Sequence, residues 1–469
     1  MKDSSYMSII AYKLQSYKLC IFAILGICLI AACIDIVLIG NLRTSMFNPN
    51  EYIPLSLSSW KILPKALLIF WVPFLCAFIV YIIAISYQLR LTKLTDKRVL
   101  WIILTVAIVS RIILLFSPPT LSDDIYRYLW DANISSHNIN PYIYAPESEE
   151  IEFLRDDYYF EVNNKDVPTI YPPLMQLAFR SAASLRYNPI SMKILFTLFD
   201  LGIILILILL LRRKNLSEQQ VIIYAWNPLV LIEISGSGHN DSLVVGLMLA
   251  ALLVLEYRRN TWSIALLTLS ILAKWFSFML VPIFFQKIRV IKSYWIFPAL
   301  VFVLYLPYLE AGSHLFSGLL VYGEKWRFND SLFSILFYLT GSLTVSKLMI
   351  VTAFGGVALY CFTRITDPVR SAFILVGAYL ILTPTVQPWY LVWIIPFLCF
   401  YPNPAWIMLS GLITVSYYVV IQFVLHEIWI EEIWVRYVQY IPFYCLLIAS
   451  NMLKRKGFKT RQTDGLAHN

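Results

Sequence analysis

The stretch ISMKILFTLFDLGIILILILLL, residues 190–211, is followed directly by Arg212, Arg213 and Lys214. As a helix it would be about 33 Å long, enough to cross the hydrocarbon core of a bilayer. Similar runs recur along the 469-residue chain, in which 59% of residues are hydrophobic, 14% are charged and the mean hydropathy is +0.70. Water-soluble chains carry about 25% charged residues. The composition therefore excludes a water-soluble enzyme and a disordered chain, and it predicts a polytopic membrane protein.

About 14 apolar runs can be placed, several of them shorter than the roughly 20 residues of a simple span. They lie at 19–40, 66–88, 99–116, 190–211, 219–235, 242–256, 262–273, 275–286, 294–310, 344–363, 370–386, 388–401, 403–425 and 437–453. We expect one all-α polytopic membrane domain over 1–469, with 12–14 transmembrane helices and short interfacial helices outside. The first run lacks a cleavage site and is expected to remain as a helix.

The distribution of basic residues orients this topology. With the N-terminus inside, 22 of the 37 Lys and Arg residues fall in segments counted as inside, against 12 outside. This excess predicts a protein of the cytoplasmic membrane with both termini in the cytoplasm. The tail 454–469 then forms a basic cytoplasmic anchor.

The loops assigned to the outside differ in character from the inside ones. The first large loop is 117–188, and its part 117–172 carries eleven acidic and three basic residues. A loop of this length is usually functional or disordered, and its Tyr, Trp and Pro content disfavours disorder. The segment 172–187 is expected to be an interfacial or re-entrant helix; if it spans instead, the next helices reverse direction. A second outside loop covers 311–343.

Asp123 and Asp124 begin the acidic loop, six residues after a predicted span. One of them could be a general base for an attacking hydroxyl, the two could hold a divalent cation, or they could start a helix as solvated capping residues. Arg127 and Tyr128 follow Asp124 at the spacing of one helical face. An aromatic-rich helix at the membrane surface is suited to framing a lipid-borne substrate.

Further polar and aromatic residues interrupt the apolar runs, again on the side assigned to the outside. They are Tyr142 and Tyr171 in proline-rich segments, Gly238, His239, Asn240 and Asp241 at a glycine-containing break, Lys274 within the apolar stretch 262–286, Arg327 among aromatic residues of the second loop, and Gln387, Trp389 and Tyr390 at a late break. Ionisable residues at membrane depth are costly unless they have a partner or a function. Their common side predicts a single external active site.

The order of these motifs resembles the GT-C superfamily of polytopic glycosyltransferases, most closely the polyprenol-phosphate-mannose-dependent mannosyltransferases. The residues that carry the resemblance are Asp123-Asp124 with Arg127-Tyr128, Asn140-Pro141-Tyr142, Tyr171-Pro172-Pro173-Leu174, Trp226-Asn227-Pro228, Gly238-His239-Asn240-Asp241, Lys274 and Pro388-Trp389-Tyr390. The resemblance implies a GT-C-like helical bundle that transfers a sugar, with mannose as the expected one. It also implies inversion and a catalytic carboxylate, for which Asp124 fits best and Asp123 is the alternative. Relatives often have His before Pro-Trp-Tyr, where this chain has Gln387.

The resulting hypothesis is an enzyme that moves the sugar from a polyprenyl-phosphate donor to a hydroxyl of a glycan, lipid or protein, with membrane lipids as surroundings and no nucleic acid partner. Arg127, His239, Lys274 and Arg327 are expected to bind the donor phosphate. The expected substrate-binding residues are Tyr128, Tyr142, Tyr171, Asn240, Asp241, Gln387, Trp389 and Tyr390. No cofactor is expected to be required, and a divalent metal at Asp123 and Asp124 stays open. The alternatives are a secondary transporter or flippase, and a ligase or polymerase of lipid-linked glycans.

Overall fold

The structure is a computed structural model that describes residues 2–45, 63–90, 96–426 and 428–466. In these residues the chain is helical and has no strand, apart from one isolated bridge between Phe328 and Thr385. The helices are α1 (Lys2–Ser45), α2 (Leu63–Arg90), α3 (Lys97–Leu114), α4 (Asp124–Ser136), α5 (Pro173–Leu185), α6 (Pro189–Arg213), α7 (Ile222–Ala225), α8 (Pro228–Val230), α9 (Asp241–Glu256), α10 (Asn260–Ala273), α11 (Val281–Lys287), α12 (Ile296–Tyr305), α13 (Ser317–Lys325), α14 (Leu332–Thr340), α15 (Leu343–Arg364), α16 (Pro368–Leu382), α17 (Ile395–Leu398), α18 (Pro404–Leu412), α19 (Tyr418–His426) and α20 (Ile433–Leu466).

Short segments of tighter or wider helix connect these elements. The 3-10 segments are Glu149–Leu154, Asp157–Glu161, Glu218–Val221, Trp275–Leu280, Ile291–Trp295, Leu306–Phe316, Pro388–Trp393 and Ile413–Tyr417, and Leu231–Gly236 is π-helical. The side chains of 453–469, which include the predicted basic anchor, lie outside the part of the structure that is described.

Six described segments are long and apolar enough to cross a membrane. They are Ser16–Asn41, Phe70–Arg90, Pro189–Arg213, Ile291–Lys325, Leu343–Arg364 and Pro404–Phe423, and a pair bent by 119°, Pro228–Gly236 with Asp241–Glu256, could be a seventh. The all-α integral membrane fold is therefore confirmed. The count is lower than the 12–14 spans expected, because several apolar runs form helices of 10–17 residues or are broken by short turns.

The helices define two ends of the bundle. At one end, here called the site end, α3 and α10 terminate while α4, α6 and α9 begin. At the opposite end, α6 and α9 terminate and α16 begins. Lys214 joins these elements there, because its Nζ lies 2.6 Å from Glu256 and 2.8 Å from Asp367.

Buried charges hold the helices around the site end in place. Arg111 of α3 pairs with Asp200 of α6 at 2.6 Å, and both side chains are fully buried. Lys193 of α6 donates hydrogen bonds to the carbonyls of Leu115 and Ser117, just beyond the end of α3. The charges of Arg111, Asp200 and Lys193 are thus compensated in the apolar interior, as burial requires. The contacts fix where α3 ends and hence where the acidic loop starts.

The acidic loop folds over the site end and carries α4 and α5. Tyr128 of α4 stacks on Phe179 of α5 with ring centroids 4.6 Å apart, and Tyr171 meets Tyr128 edge-on at 5.4 Å. α5 has 13 residues, or about 20 Å, which is short for a span. That length agrees with an interfacial or re-entrant helix.

Candidate active site

Asp124 is the first residue of α4, and Asp123 stands at the preceding capping position without a side-chain cap bond. The amide of Asn163 spans the two carboxylates: its Nδ2 donates to Asp123 Oδ1 at 2.6 Å and to Asp124 Oδ1 at 3.0 Å. The distant part of the acidic loop therefore orients the two acids. Asn163 was missed by the sequence analysis, since nothing in its local pattern indicates a partner 39 residues earlier.

The environment of Asp124 favours a proton-accepting role. Its side chain keeps 24% of its surface exposed, so a substrate hydroxyl can reach it. Burial, followed by the repulsion of the neighbouring Asp123 carboxylate, raises the pKa of Asp124 from 3.8 to about 6. A carboxylate with a pKa near the working pH is a better general base than an ordinary one.

His239 approaches Asp124 from the break between the π-helical segment and α9. Gly238 has φ +82°, and a Cβ there would lie 2.6 Å from Ile125 Cδ1. A glycine is therefore needed both for the backbone conformation and for contact with α4. His239 Nδ1 lies 3.8 Å from Asp124 Oδ2, and the ring stacks on Trp389 with centroids 3.9 Å apart.

Glu233 lies on the other side of His239. Its Oε2 is 3.3 Å from His239 Nε2, and its Oε1 accepts a 2.7 Å hydrogen bond from Tyr417. The residue belongs to the π-helical segment Leu231–Gly236, a type of distortion that often marks functional sites. The sequence analysis did not include Glu233 among the site residues. The available signal was a carboxylate inside an apolar run, six residues before His239.

Lys274 follows the last residue of α10, where the chain is extended with φ −160° and ψ 129°. Its Nζ lies 2.7 Å from Asp241 Oδ1, and Trp393 Nε1 donates to the same oxygen at 2.6 Å. The ammonium also lies over the Tyr390 ring, 5.2 Å from its centroid. Lys274 remains 20% exposed, whereas Asp241 is fully buried.

Aromatic and amide groups complete the cluster. Tyr390 stacks on Trp393 at 4.2 Å, and its hydroxyl is 2.7 Å from that of Tyr322. Asn240 is fully buried, and neither its amide nitrogen nor its amide oxygen has a hydrogen-bond partner among the described residues. Gln387 precedes the 3-10 segment Pro388–Trp393, where its carbonyl accepts from the Tyr390 amide at 3.0 Å.

Four of the predicted residues hold the acidic loop together. Arg127 pairs with Asp131 at 3.0 Å and donates to the carbonyl of Val167 at 2.9 Å. Tyr142 donates to the carbonyl of Tyr171 at 2.8 Å. Arg127 and Tyr142 thus bind protein oxygens, while Tyr128 and Tyr171 pack in the aromatic stack. Because these contacts occupy the Arg127 guanidinium, we propose a structural role for Arg127 in place of the predicted contact with the donor phosphate.

Arg327 belongs to a separate ionic cluster in the second loop. It pairs with Asp330 at 2.7 Å, and Arg436 lies 3.4 Å from the same carboxylate. The Arg327 guanidinium also lies over the Phe337 ring, 4.5 Å from its centroid. These contacts connect the second loop to α20, so Arg327 likewise is not carried into the phosphate site.

Asp124, His239, Asp241, Lys274, Trp389 and Tyr390 therefore form one cluster at the site end, here called the central cluster. Across the described residues, no group of three or more His, Cys, Asp or Glu is arranged to hold a metal ion. A cation at Asp123 and Asp124 alone stays a sequence-based prediction.

Comparison with known proteins identifies the family. No curated protein matches the chain. The model of the MptA_B family, alpha-(1->6)-mannopyranosyltransferase, N-terminal domain, matches residues 24–288. The matched segment is more than half of the chain and contains Asp124, Glu233, His239 and Lys274. The chain therefore belongs to the MptA_B family of alpha-(1->6)-mannopyranosyltransferases, and it is a membrane-embedded mannosyltransferase of the GT-C type.

Proposed function

We propose that the enzyme takes mannose from a polyprenyl-phosphate donor and transfers it, with inversion, to a hydroxyl acceptor at the extracytoplasmic face of the cytoplasmic membrane. The observation that carries this proposal is the central cluster. It presents a partly exposed carboxylate, Asp124, and a partly exposed ammonium, Lys274, at the same end of the bundle. A base for the acceptor hydroxyl and a cation for the departing phosphate are the two groups that assist a direct displacement of this kind.

In the proposed reaction, Asp124 accepts the proton of the acceptor hydroxyl as its oxygen bonds to C1 of mannose. The bond from C1 to the phosphate oxygen breaks, and its electron pair leaves with the polyprenyl phosphate. Negative charge grows on that phosphate in the transition state, where a fixed cation stabilises it most. A single displacement from the face opposite the leaving group inverts C1.

Lys274 is the proposed cation at the phosphate. An ammonium has three donors, and the contact with Asp241 uses one of them. The exposed part of the side chain leaves room for a phosphate oxygen. Asp241 compensates the charge when no donor is bound, which explains how a lysine is tolerated at the end of an apolar helix. His239, also predicted to bind the donor phosphate, is assigned no donor contact in this proposal, because its ring is buried and both ring nitrogens face protein carboxylates.

Asn240, Trp389 and Tyr390 are proposed to bind the sugar. A buried amide without partners costs about 1–3 kcal/mol per unsatisfied group, and sugar hydroxyls can both donate to it and accept from it. Aromatic faces pack against the apolar face of a pyranose. Gln387 precedes this wall and is proposed to contact the sugar or the acceptor as a neutral hydrogen-bonding group.

The two ends of the bundle support an external site. Four of the segments counted as inside, 212–218, 257–261, 287–293 and 364–370, lie at the end opposite the central cluster, because α6, α9, α11 and α15 all end there. Arg212, Arg213, Arg258 and Arg259 are among their basic residues. The positive-inside rule assigns this end to the cytoplasm, so the central cluster would face the outside.

Purified enzyme tests the donor. It should transfer labelled mannose from polyprenyl-phosphate mannose to a short α-mannoside acceptor, and the product should have the anomeric configuration opposite to that of the donor. A nucleotide-diphosphate mannose should give no product under the same conditions. Transfer from the nucleotide sugar alone, or retention of configuration, would reject the proposed donor or mechanism respectively. The matched control is D124N, which should lower transfer from polyprenyl-phosphate mannose by about 10²–10⁴-fold.

A further inference from the structure

His239 lies between two carboxylates in the interior of the site end. Its Nδ1 is 3.8 Å from Asp124 Oδ2, and its Nε2 is 3.3 Å from Glu233 Oε2. The π-helical segment supplies Glu233, the glycine-containing break supplies His239, and α4 supplies Asp124. Three separate elements thus bring Asp124, His239 and Glu233 together in that order, an arrangement here called the line.

The hydrogen-bonding capacity along this line is unused. Glu233 Oε2 and both ring nitrogens of His239 are buried without a hydrogen-bond partner among the described residues. Native interiors leave few polar side-chain atoms in this state, because each costs about 1–3 kcal/mol. Tyr417 holds the other oxygen of Glu233, so Oε2 remains directed to the ring. Stacking on Trp389 fixes the plane of that ring.

We propose that Glu233, acting through His239, is a positioning residue that draws the substrate proton away from Asp124. The proposal rests on the proposed role of Asp124 as the base. Glu233 accepts from the Nε2–H of neutral His239, which leaves the Nδ1 lone pair facing Asp124. While Asp124 is ionised, both facing atoms are acceptors and no hydrogen bond joins them. The 3.8 Å separation agrees with that state.

The proton balance of the relay is complete. After Asp124 has taken the acceptor proton, its Oδ2–H donates to Nδ1 of His239. As Nδ1 gains that proton, Nε2 releases its own to Glu233 Oε2. Asp124 is again a carboxylate, His239 is neutral in the other tautomer, and Glu233 carries the proton until the product leaves. The proton then returns by the same steps to Asp124, the member of the relay that solvent reaches. Such contacts are commonly long without substrate and shorten in the reacting complex.

The electrostatic surroundings of the line include other groups that a pH measurement must separate. Asp123 lies beside Asp124, and Lys274 with Asp241 faces it from α9 and α10. Tyr417 contacts Glu233. The control variant is Y417F, which removes the hydrogen bond to Oε1 and keeps the carboxylate that faces His239.

The test is E233Q, measured with polyprenyl-phosphate mannose. We expect kcat to fall roughly 10²-fold with an unchanged donor KM, since general acid–base assistance contributes about 10²–10⁴-fold. E233D should recover part of the loss, and Y417F should lose much less than E233Q. The acid limb of the kcat profile should shift in E233Q, because the charge seen by Asp124 through His239 changes. If Glu233 had a purely structural role, E233Q would lower the melting temperature, but the folded enzyme would keep its kcat, its donor KM and the acid limb of its kcat profile.

A double mutant separates this inference from the function on which it rests. In a D124N background, E233Q should cost little more, because residues that act as one unit are not additive. An equal loss in both backgrounds would overturn the relay while leaving Asp124 as the base. Full activity of D124N would instead overturn the base assignment. If E233Q does not fold, H239Q carries the test: reduced kcat at constant donor KM supports the relay, and unchanged kcat overturns it.

Discussion

Lys274 Nζ lies 2.7 Å from Oδ1 of Asp241, and this ion pair joins the end of α10 to the start of α9. In this pair, Lys274 can serve both as a structural partner of a carboxylate and as a ligand of the donor phosphate, two roles between which the sequence alone could not decide. A lysine at an apolar helix end can be tied to a protein carboxylate, and it can still offer its remaining donors to a ligand. Variants can separate the two roles, because one affects stability and the other affects donor use.

We predict that K274M loses both stability and donor affinity. Leaving Asp241 buried without its partner costs about 3–5 kcal/mol, so the melting temperature should fall. The double mutant K274M/D241N removes the orphaned charge and should recover much of that stability while keeping a raised donor KM. D241N alone is the reference, and K287M removes an exposed lysine at the opposite end as a charge control. A wild-type donor KM in the double mutant would make Lys274 purely structural.

Asp124 predicts a specific pH dependence of the rate. Because its pKa is about 6, the base form is lost as the pH falls below that value, and kcat/KM should decline on the acid side with a midpoint near pH 6. The contribution of the Asp124 carboxyl to the free energy of unfolding should show the opposite trend and be largest at low pH. The folded state holds the proton more tightly than the unfolded chain does, so this carboxyl contributes most at low pH and its contribution is lost as the pH rises from about 3.8 to about 6. An activity profile flat from pH 5 to 8 would contradict the assignment.

Gly238 predicts a packing effect next to the base. In G238A the added Cβ would meet Ile125 at 2.6 Å and Lys193 at 2.9 Å, on a backbone with φ +82°. Overpacking costs about 1–3 kcal/mol, and His239 would move relative to Asp124. We expect a lower melting temperature together with a lower kcat. G355A is the matched control, because nothing lies within 4 Å of that position. Unchanged kcat in G238A would show that the close contact is not needed for catalysis.

Arg127 should behave as a loop residue. In R127M, Asp131 keeps its hydrogen bonds from Thr169 and Gln176 but loses its cation. We expect a melting temperature lower by several degrees, and a donor KM close to that of the wild type once the folded fraction is corrected. A donor KM raised tenfold or more at full folding would return Arg127 to the phosphate site.

Labelling of introduced cysteines tests the orientation. A cysteine at Glu149, in the acidic loop, should react with an impermeant thiol reagent added outside intact cells. A cysteine at Arg259, at the opposite end, should react only after the membrane is opened. The seven native cysteines give the background, which the unmodified chain measures. The reverse pattern would place the central cluster in the cytoplasm.

The sequence was sufficient to predict the membrane class and the meeting of Asp124, His239, Lys274 and Trp389, because these residues all interrupt apolar runs on one predicted side. It could not show the partners. Asn163 contacts Asp124 only because the acidic loop folds back on itself. The approach of Glu233 to His239 depends on a π-helical distortion. Arg127 was predicted as a phosphate ligand although Asp131 stands four residues later, a spacing that itself indicates an ion pair. Short helices and bends reduced the number of full spans for a related reason, since apolar runs do not reveal where a buried chain turns.

The most direct test of the account is the turnover of D124N with polyprenyl-phosphate mannose, compared with D123N and with donor binding measured on the same preparations. An amide keeps the shape of Asp124 and cannot take the proton, so D124N should bind the donor normally and lose about 10²–10⁴-fold in kcat. D123N should retain most of its activity, because Asp124 is the member of the pair that faces His239 and the central cluster. Full turnover by D124N, whatever the behaviour of D123N, would contradict the assignment of Asp124 as the catalytic base.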